Sequence, residues 1–419
     1  MSQERRLRIA VWHNLPSGGG KRALYYHVKG LLQRGHSLES WTLTTADQSY
    51  LPLKELLTEH VIPFDNEREQ NPLRRILRST TSYYNELARM RAFDLACQRC
   101  AREIDAGNFD VLFANSSLLY FMPYIMRHAR LPKVLYLQEP YRSLYEANPI
   151  LPWVDGLRED LTRLDHFRPR GFVYENLNLR GFRLQAKMEW LNAHATDLLL
   201  VNSYYSRESV LRAYGREAKV CYLGVDTDLF RDLHRKREHL IVSLGSFART
   251  KGVDLAIRSI SLLSLPRPRL VWIANSVDGS YLKEMLELAG ALGVDLSIKS
   301  MVSDEELVEI LNRAALLLYT PRLEPFGLAP LEANACATPV VAVAEGGVRE
   351  TIIDGINGFL VDREPESVAE ALNRLLSDPI LSRQIGETAA TCVRKQWNVD
   401  LSIDRLEQHL LKVVSTHCK

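Results

Sequence analysis

The chain has 419 residues, 46% of them hydrophobic and 25% charged, a balance typical of a soluble globular protein. At roughly 150 residues per domain, this length predicts two or three domains. Fifty-three basic and 51 acidic residues give a net charge of +2, which excludes a protein that binds polyanions over its whole surface. No apolar run reaches the ~20 residues of a membrane span, and the six scattered cysteines are too few for a disulfide scaffold. We therefore expect reduced thiols and a cytoplasmic location.

Short apolar runs alternate with segments of helical period along the whole chain. In the N-terminal half the predicted strands are residues 7–12, 38–43, 110–114, 133–138 and 197–202. In the C-terminal half they are residues 219–223, 239–245, 269–274, 295–300, 315–320, 339–344 and 358–361. Clear helical periods fall at residues 21–34, 253–263, 304–314 and 368–376. Most strands are continuously apolar, which is typical of parallel strands covered on both faces. Two doubly wound parallel α/β sheets are therefore predicted.

Two regions rich in arginine stand out from this pattern. The first is residues 72–106, with Arg74, Arg75, Arg78, Arg89, Arg91, Arg99 and Arg102 on a long helical segment. The second is residues 158–187, where arginines alternate with aromatic residues. Each is either a solvated helix face or a basic surface that meets an acidic acceptor or anionic lipid headgroups.

The strongest chemical signal is the segment YTPRLEPFGLAPLEANA, residues 319–335. A strand ends in a proline-containing loop, and Gly327 with Pro330 then opens a helix, whose free N–H groups can bind an anion. Glu324 lies on the loop, and Glu332 lies about one turn into the helix. Two acids beside an anion-binding turn suit a ligand that is part phosphate and part sugar.

Three glycine loops follow other predicted strands. Gly346 and Gly347 form a tight turn after residues 339–344, and glycines let a backbone approach a phosphate closely. The loop IVSLGSFARTKG carries Arg249 and Lys251, which could neutralise a diphosphate or be ordinary surface charge. The loop SGGG near the N-terminus lacks the G-x-G-x-x-G spacing of a dinucleotide site, and a flexible hinge is its alternative interpretation.

With these motifs the chain resembles the retaining glycosyltransferases of family four, which have the GT-B fold of two Rossmann-like domains facing across a cleft. EPFGLAPLE resembles the E-x7-E motif of that family, GSFARTKG its GR-x4-KG loop, and SGGG its N-terminal glycine loop. EGGVRETI is similar to its GG-x-x-E turn, and YLGVDTDLF to its domain-junction segment. The implied domains are residues 1–215 on the acceptor side, residues 216–396 for the donor, and residues 397–419 as a helix that crosses back to the N-terminal domain.

The resemblance also implies roles for individual residues. Glu332 would hold the ribose of a nucleotide-sugar donor, and Glu324 would bind its sugar and phosphate. Lys251 would stabilise the departing diphosphate. The remaining donor contacts would be Gly18, Gly19, Gly20, Ser246, Met301, Val302, Phe326, Gly327, Leu328, Gly346 and Gly347.

Two departures from the family pattern alter these expectations. Ser246 stands where the loop arginine is usual, which leaves Arg249 as its substitute. Gln138 stands where a sugar-contacting histidine is frequent and could still hydrogen-bond a sugar hydroxyl. Together with Glu139 and Arg142 it is a predicted contact of the acceptor or sugar. A non-catalytic nucleotide-sugar-binding subunit, or a phosphorylase or epimerase on the same frame, is therefore the alternative to a transferase.

Neither a metal nor another cofactor is expected. Lys251 and helix N-termini would stabilise the leaving group, and Asp226 with Asp228, although formally D-x-D, falls in the junction segment. The C-x-x-C of Cys97 and Cys100 has no second pair, so zinc is not expected either. The expected partners are a nucleotide sugar, a saccharide or lipid-linked acceptor and the inner face of a membrane, but no nucleic acid.

Overall fold

The computed structural model describes residues 5–64, 78–146 and 169–417. The chain forms two compact units. Met1–Val201, Arg207–Cys221 and Arg405–Lys419 make the first, and Asn202–Ser206 with Tyr222–Asp404 make the second. Parts of the two arginine-rich regions, residues 72–77 and 158–168, lie outside the described residues, as do the side chains of residues 78–85 and 169–178.

The first unit is built on a seven-stranded parallel sheet. Its strands are β1 (Arg8–Asn14), β2 (Ser37–Leu43), β3 (Thr58–Ile62), β4 (Val111–Ser117), β5 (Lys133–Tyr136), β6 (Leu198–Val201) and β7 (Lys219–Val220). Their order is β3-β2-β1-β4-β5-β6-β7, and every pair is parallel. Each residue of β4 is buried, as expected for a central strand with helices on both faces.

Helices cover this sheet. They are α1 (Gly19–Gln33), α2 (Arg78–Ala106), α3 (Ile125–His128), α4 (Arg142–Tyr145), α5 (Pro169–His194) and α6 (Tyr204–Tyr214), the last of which begins within the segment assigned to the second unit. Phe93, Cys97 and Ile104 of α2 are fully buried in a core that also contains Trp12 and Trp41 of the sheet. Their spacings of four and seven residues, about one and two helical turns, place them on the apolar face of an amphipathic helix.

The second unit has a six-stranded parallel sheet in the order β10-β9-β8-β11-β12-β13. Its strands are β8 (Glu238–Leu244), β9 (Arg269–Ala274), β10 (Leu296–Ser300), β11 (Ala314–Tyr319), β12 (Val340–Val343) and β13 (Phe359–Val361). Its helices are α7 (Val253–Ser261), α8 (Gly279–Leu292), α9 (Asp304–Arg313), α10 (Leu328–Ala335), α11 (Val348–Thr351), α12 (Pro365–Ser377) and α13 (Pro379–Gln396).

The last helix, α14 (Val399–His417), belongs to the first unit from Arg405 onward. There the carboxylate of Glu407 lies 2.8 Å from His36 Nε2 and 3.5 Å from Arg34 Nε. His36 Nδ1 in turn accepts the N–H of Leu7 at 3.0 Å, directly before β1. The C-terminal helix is therefore tied to the first strand of the sheet.

The predicted fold class is confirmed, since both sheets are parallel and helices alternate with their strands. One strand was not predicted, and one was predicted at more than twice its observed length. β3 reads TEHVI, with polar residues at most positions and Val61 45% exposed, because it lies at the sheet edge. The strand predicted at residues 219–223 is only the two-residue β7. Periodicity identifies buried central strands better than edge strands, which have one solvated side.

Candidate functional site

Three predicted loops of the second unit follow three neighbouring strands. β8, β11 and β12 are adjacent in the sheet and parallel, so their carboxyl ends lie at one edge. Ligands of open parallel sheets bind at that edge. The loop with Lys251 follows β8, the loop with Glu324 follows β11, and the glycine turn follows β12.

The glycine turn packs against the backbone of the Glu324 loop. The N–H of Gly347 donates to the Glu324 carbonyl at 2.8 Å. A Cβ on Gly346, whose φ is +63°, would lie 2.3 Å from that carbonyl oxygen, and one on Gly347 would lie 2.0 Å from the Pro325 carbonyl oxygen. Only glycine allows this approach. The two glycines are therefore needed to hold the Glu324 loop in place.

The Lys251 loop packs against the same segment from the other side. Thr320 Oγ1 donates to the Lys251 carbonyl at 2.8 Å, and the N–H of Arg322 donates to the Thr250 carbonyl at 2.8 Å. Gly252 has φ +69°, and a Cβ there would lie 2.5 Å from the Thr320 carbonyl oxygen. These contacts fix the backbone of the two loops relative to each other.

Lys251 and Glu324 form an ion pair between the loops. Lys251 Nζ lies 2.7 Å from Glu324 Oε2, and their side chains are 23% and 19% exposed. Two of the predicted catalytic residues are thus brought together although 73 positions separate them. The pair places one cation and one anion, both accessible, at the carboxyl edge of the sheet.

Glu345 and Arg363 support the Glu324 loop, and neither was predicted from the sequence. Arg363 donates to the carbonyls of Thr320 at 3.0 Å and Pro321 at 2.8 Å, and to both Glu345 oxygens. Glu345 also accepts the N–H of Leu323 at 3.2 Å. Burial alone would raise its pKa, but the hydrogen bonds and charge of Arg363 hold the pKa of Glu345 below its usual value. The Glu345 carboxyl therefore stays ionised near neutral pH. In the sequence, Glu345 could have been identified by its position directly before the glycine pair.

The E-x7-E segment continues into helix α10. Gly327 precedes the helix with φ +92°, and no side chain of this segment caps its first N–H groups. Leu328 is the first residue of the helix, and Glu332, 6% exposed, lies one turn in. Phe326 is buried and its ring packs near those of Tyr222 and Trp397. The side chain of Phe326 therefore anchors the loop, so the predicted ligand contact at this position would have to come from the backbone.

The other predicted donor residues of this unit are placed as follows. The guanidinium of Arg249 pairs with Glu284 of α8 and lies over the Tyr281 ring, with its centre 4.9 Å from the ring centroid. Lys251 instead pairs with Glu324, so the two cations have different partners. Ser246 is half-buried directly after Gly245. Met301 follows β10 with φ +57° and is 71% exposed, with Val302 next to it.

In the first unit the glycine loop lies beside Gln138. Gly18 has φ +134°, Gly19 begins α1, and a Cβ on Gly20 would lie 4.0 Å from Gln138 Cγ. Glu139 and Arg142, also predicted here, form an ion pair with each other at the start of α4. The structure thus brings together the glycine loop and one of the three predicted acceptor residues.

A buried ionisable cluster next to this glycine loop was also missed. His13 Nε2 lies 3.0 Å from Glu59 Oε1, and both side chains are almost fully buried. Lys21, in the first turn of α1, is also fully buried, and its Nζ has no hydrogen-bond partner among the described residues. Burial lowers the pKa of both His13 and Lys21. Burial works to raise the pKa of Glu59, but the hydrogen bond from His13 and the charges of His13 and Lys21 lower it overall.

The segments predicted not to bind metal have ordinary structural roles. Asp226 Oδ1 accepts the N–H groups of Asp228 and Leu229 at 3.1 and 3.2 Å, which closes a turn. Cys97 and Cys100 are buried in the core. Within residues 5–64, 78–146 and 169–417, no three His, Cys, Asp or Glu side chains cluster as metal ligands would.

Two parallel α/β sheets with these loops define the GT-B class of glycosyltransferases, and solved structures support the class. The Anabaena protein Alr3699/HepE in complex with UDP and glucose has a TM-score of 0.71 and 18% identity over 97% of this chain and 100% of that one. WaaG, a glycosyltransferase involved in lipopolysaccharide biosynthesis, has a TM-score of 0.63 and 16% identity, covering 96% and 99%. At such identities the likeness is one of fold.

The chain belongs to glycosyltransferase family 4. The model described as Glycosyltransferase Family 4 matches residues 17–229, and the one described as Glycosyl transferases group 1 matches residues 225–391. The recognition made from the motifs is thereby confirmed.

Two groups of curated relatives match part of the chain. The alpha-1,3/1,6-mannosyltransferase ALG2 of Mus musculus is 27% identical over 59% of this chain and 67% of its own length. The D-inositol 3-phosphate glycosyltransferase of Acidothermus cellulolyticus is 31% identical over 49% and 51%. The chain therefore spans about half to two thirds of the length of these relatives. Among the described residues, no helix has the length and apolar character to span a membrane.

Proposed function

We propose that the chain transfers a glycosyl group from a nucleoside-diphosphate sugar to a saccharide or lipid-linked acceptor, with retention of configuration and without a metal ion. Relatives named as a mannosyltransferase and as a D-inositol 3-phosphate glycosyltransferase support glycosyl transfer. Neighbours of the same fold solved with UDP or UDP-glucose support a nucleotide-sugar donor.

One observation carries the proposal, the Lys251–Glu324 ion pair at the edge where ligands of parallel sheets bind. A diphosphate would take over Lys251 as its counter-ion, and the sugar hydroxyls would then replace the ammonium as hydrogen-bond partners of Glu324. The uncapped N–H groups after Gly327 would add a second positive end for the phosphate. Glu332, one turn further along α10, would reach the ribose.

Chemistry at this site would need stabilisation of negative charge on the leaving diphosphate. As the bond between the anomeric carbon and the diphosphate oxygen breaks, Lys251 would stabilise the charge that builds on that oxygen. The acceptor hydroxyl would form its new bond on the same face of the sugar. Its proton would pass to an oxygen of the departing diphosphate, so that the step balances without a protein base and the configuration is retained.

The test is hydrolysis of UDP-, GDP- and ADP-sugars in the absence of an acceptor. We expect one donor class to be turned over and Glu324→Ala to abolish that turnover. Glu238→Ala is the matched control, because Glu238 begins β8 at the opposite edge of the same sheet and pairs there with Arg313. Equal activity of the two variants would contradict the proposal. The anomer formed from an added acceptor, read by NMR, tests retention, and assay in a chelator tests metal independence.

A binding subunit is the second candidate, and two observations favour it. Arg249, the proposed substitute for the loop arginine, is engaged by Glu284, and the histidine position holds Gln138. Tight binding of a donor without turnover, lost in Lys251→Ala, would support this candidate over a transferase.

A further inference from the structure

The outward side of helix α2 is a continuous basic stripe. Ala88, Arg91, Leu95, Arg99 and Arg102 are its exposed residues between positions 88 and 102, and their spacing of three or four residues places them on one face. Leu95, in the middle of the stripe, is 63% exposed. At 1.5 Å per residue the stripe is about 20 Å long.

The acidic residues of α2 do not neutralise most of this stripe. Glu86 is hydrogen-bonded to Arg89 and to Tyr120 at 2.6 Å. Asp94 is bound by Arg127 at 3.1 Å and by His128 at 2.7 Å. Asp105 accepts the backbone N–H of Arg130 at 3.0 Å. Glu103 is the exception, because it pairs with Arg99 of the stripe at 3.0 Å while also accepting from Trp41. Arg91 and Arg102 have no carboxylate partner within the described residues.

Helix α5 repeats the pattern. Its exposed residues between positions 180 and 194 are Arg180, Arg183, Lys187, Trp190 and His194, again three or four apart. Trp190 is 47% exposed and its ring stacks on His194, with 3.8 Å between the ring centroids. The acid of this part of the helix, Glu189, is fully buried and accepts from Tyr214 at 2.9 Å. This stripe therefore exposes cations and an aromatic ring.

The two stripes lie in one layer of the first unit. Phe93 of α2 and Met188 of α5 pack in or against the same hydrophobic core, so both helices cover one face of the sheet. Arg127 joins them, because it donates to Asp94 of α2 at 3.1 Å and to Asn192 of α5 at 2.6 Å. The exposed sides of both helices consequently face away from that core, next to each other.

We infer that this α2–α5 surface, defined by Arg91, Leu95, Arg99, Arg102, Arg180, Arg183, Lys187 and Trp190, binds the anionic headgroups of a lipid membrane. The cations match a negatively charged leaflet, and each cation held near such a surface strengthens binding about fivefold. Trp190 and Leu95 are exposed apolar side chains, which binding to a soluble polyanion would not require. Tryptophan prefers the boundary between headgroups and acyl chains. The inference extends the proposed function, because a lipid-linked acceptor lies in a membrane, but it does not depend on catalysis.

The test is co-sedimentation of the full chain with vesicles. We expect binding to phosphatidylcholine vesicles that contain about a third phosphatidylglycerol, weaker binding as salt is added, and none to pure phosphatidylcholine. The triple variant R91E/R183E/K187E should reduce the partition coefficient at least ~100-fold. The variant R258E/R383E/K395E is the matched control, with the same charge change at exposed positions of the second unit, and should bind like the unmodified chain.

Trp190→Ala separates a membrane from a soluble polyanion. Loss of the half-exposed ring should weaken vesicle binding about tenfold, while binding to heparin should be unchanged. Absence of binding to the anionic vesicles, equal loss in both triple variants, or heparin binding as tight as vesicle binding with no effect of Trp190→Ala would each overturn the inference. Thermal unfolding of each variant verifies that it is folded.

The result of the vesicle test can be distinguished from the result of the donor-hydrolysis test. Donor hydrolysis is measured without vesicles, and R91E/R183E/K187E should retain it. Glu324→Ala should lose hydrolysis and retain vesicle binding.

Discussion

The two units surround their glycine loops in different ways. In the second unit, Gly346 and Gly347 pack closely against the backbone of the Glu324 loop, so main-chain contacts fix the position of that loop. In the first unit, Gly20 has only ordinary contacts, and the neighbouring positions are occupied by buried ionisable side chains, among them Lys21 and Glu59. A site held by backbone is intolerant of added atoms, whereas a site bordered by buried charge is sensitive to pH.

The largest expected effect comes from adding one methyl group to each glycine loop. Gly347→Ala should destabilise the second unit by about 4 kcal/mol and abolish donor turnover, because its Cβ would overlap the Pro325 carbonyl at 2.0 Å. Gly20→Ala should leave the stability of the first unit unchanged or raise it by up to about 1 kcal/mol, since its nearest contact is 3.7 Å and it lies in a helix. Urea unfolding of both variants measures the difference. Similar losses in the two would contradict the contrast between the units.

The contrast also explains what could be predicted from the sequence. The Glu324 segment and the glycine pair are contiguous motifs, so their residue types and spacing indicate both strand ends and ligand contacts. Their joint position follows from a parallel sheet, in which carboxyl ends share an edge. The proximity of Lys251 and Glu324 could therefore be predicted from the sequence.

The rest depends on contacts that no local pattern records. Arg363 binds Glu345, which is 18 residues away in the sequence, and His13 binds Glu59, which is 46 residues away. Glu59 lies on an edge strand whose polar sequence TEHVI does not alternate clearly. The stripe on α5 could be predicted only in part from the sequence, because the burial of Glu189 and the exposure of Trp190 are set by tertiary packing.

The next effect concerns the charge at the main-chain site. Lys251→Ala should lower donor turnover about 10²-fold, or about 2.7 kcal/mol, as loss of an oxyanion donor does. Arg313→Ala, at the opposite edge of the same sheet, should leave turnover unchanged. Steady-state hydrolysis of the donor measures both variants. A Lys251→Ala variant as active as Arg313→Ala would remove the lysine from the site.

In the first unit one pH effect should come from His27. Burial lowers its pKa from 6.5 to about 4, so the folded state binds fewer protons than the unfolded state below pH 6.5. The stability contributed by neutral His27 is complete above pH 6.5 and is lost as the pH falls toward 4, by about 3 kcal/mol.

His27→Phe tests this loss, because a phenyl ring preserves packing near Phe113 and Tyr136 and has no proton to gain. The difference in unfolding free energy between the original chain and the variant should shift by about 3 kcal/mol between pH 7 and pH 4. A difference independent of pH would mean that burial does not lower the pKa of the His27 ring.

A second pH effect of similar size has the opposite sign and also lies in the first unit. Burial raises the pKa of Glu189 from 4.5 to about 7, although Gln185 and Tyr214 donate hydrogen bonds to it. The folded state therefore binds more protons than the unfolded state, and stability falls as the pH rises from 4.5 through 7. Glu189→Gln, which keeps the shape and an acceptor oxygen, should stabilise the unit by about 3 kcal/mol at pH 8 and have little effect at pH 4. Urea unfolding at the two pH values measures this, and equal effects at both would show that the carboxyl is not held protonated by burial.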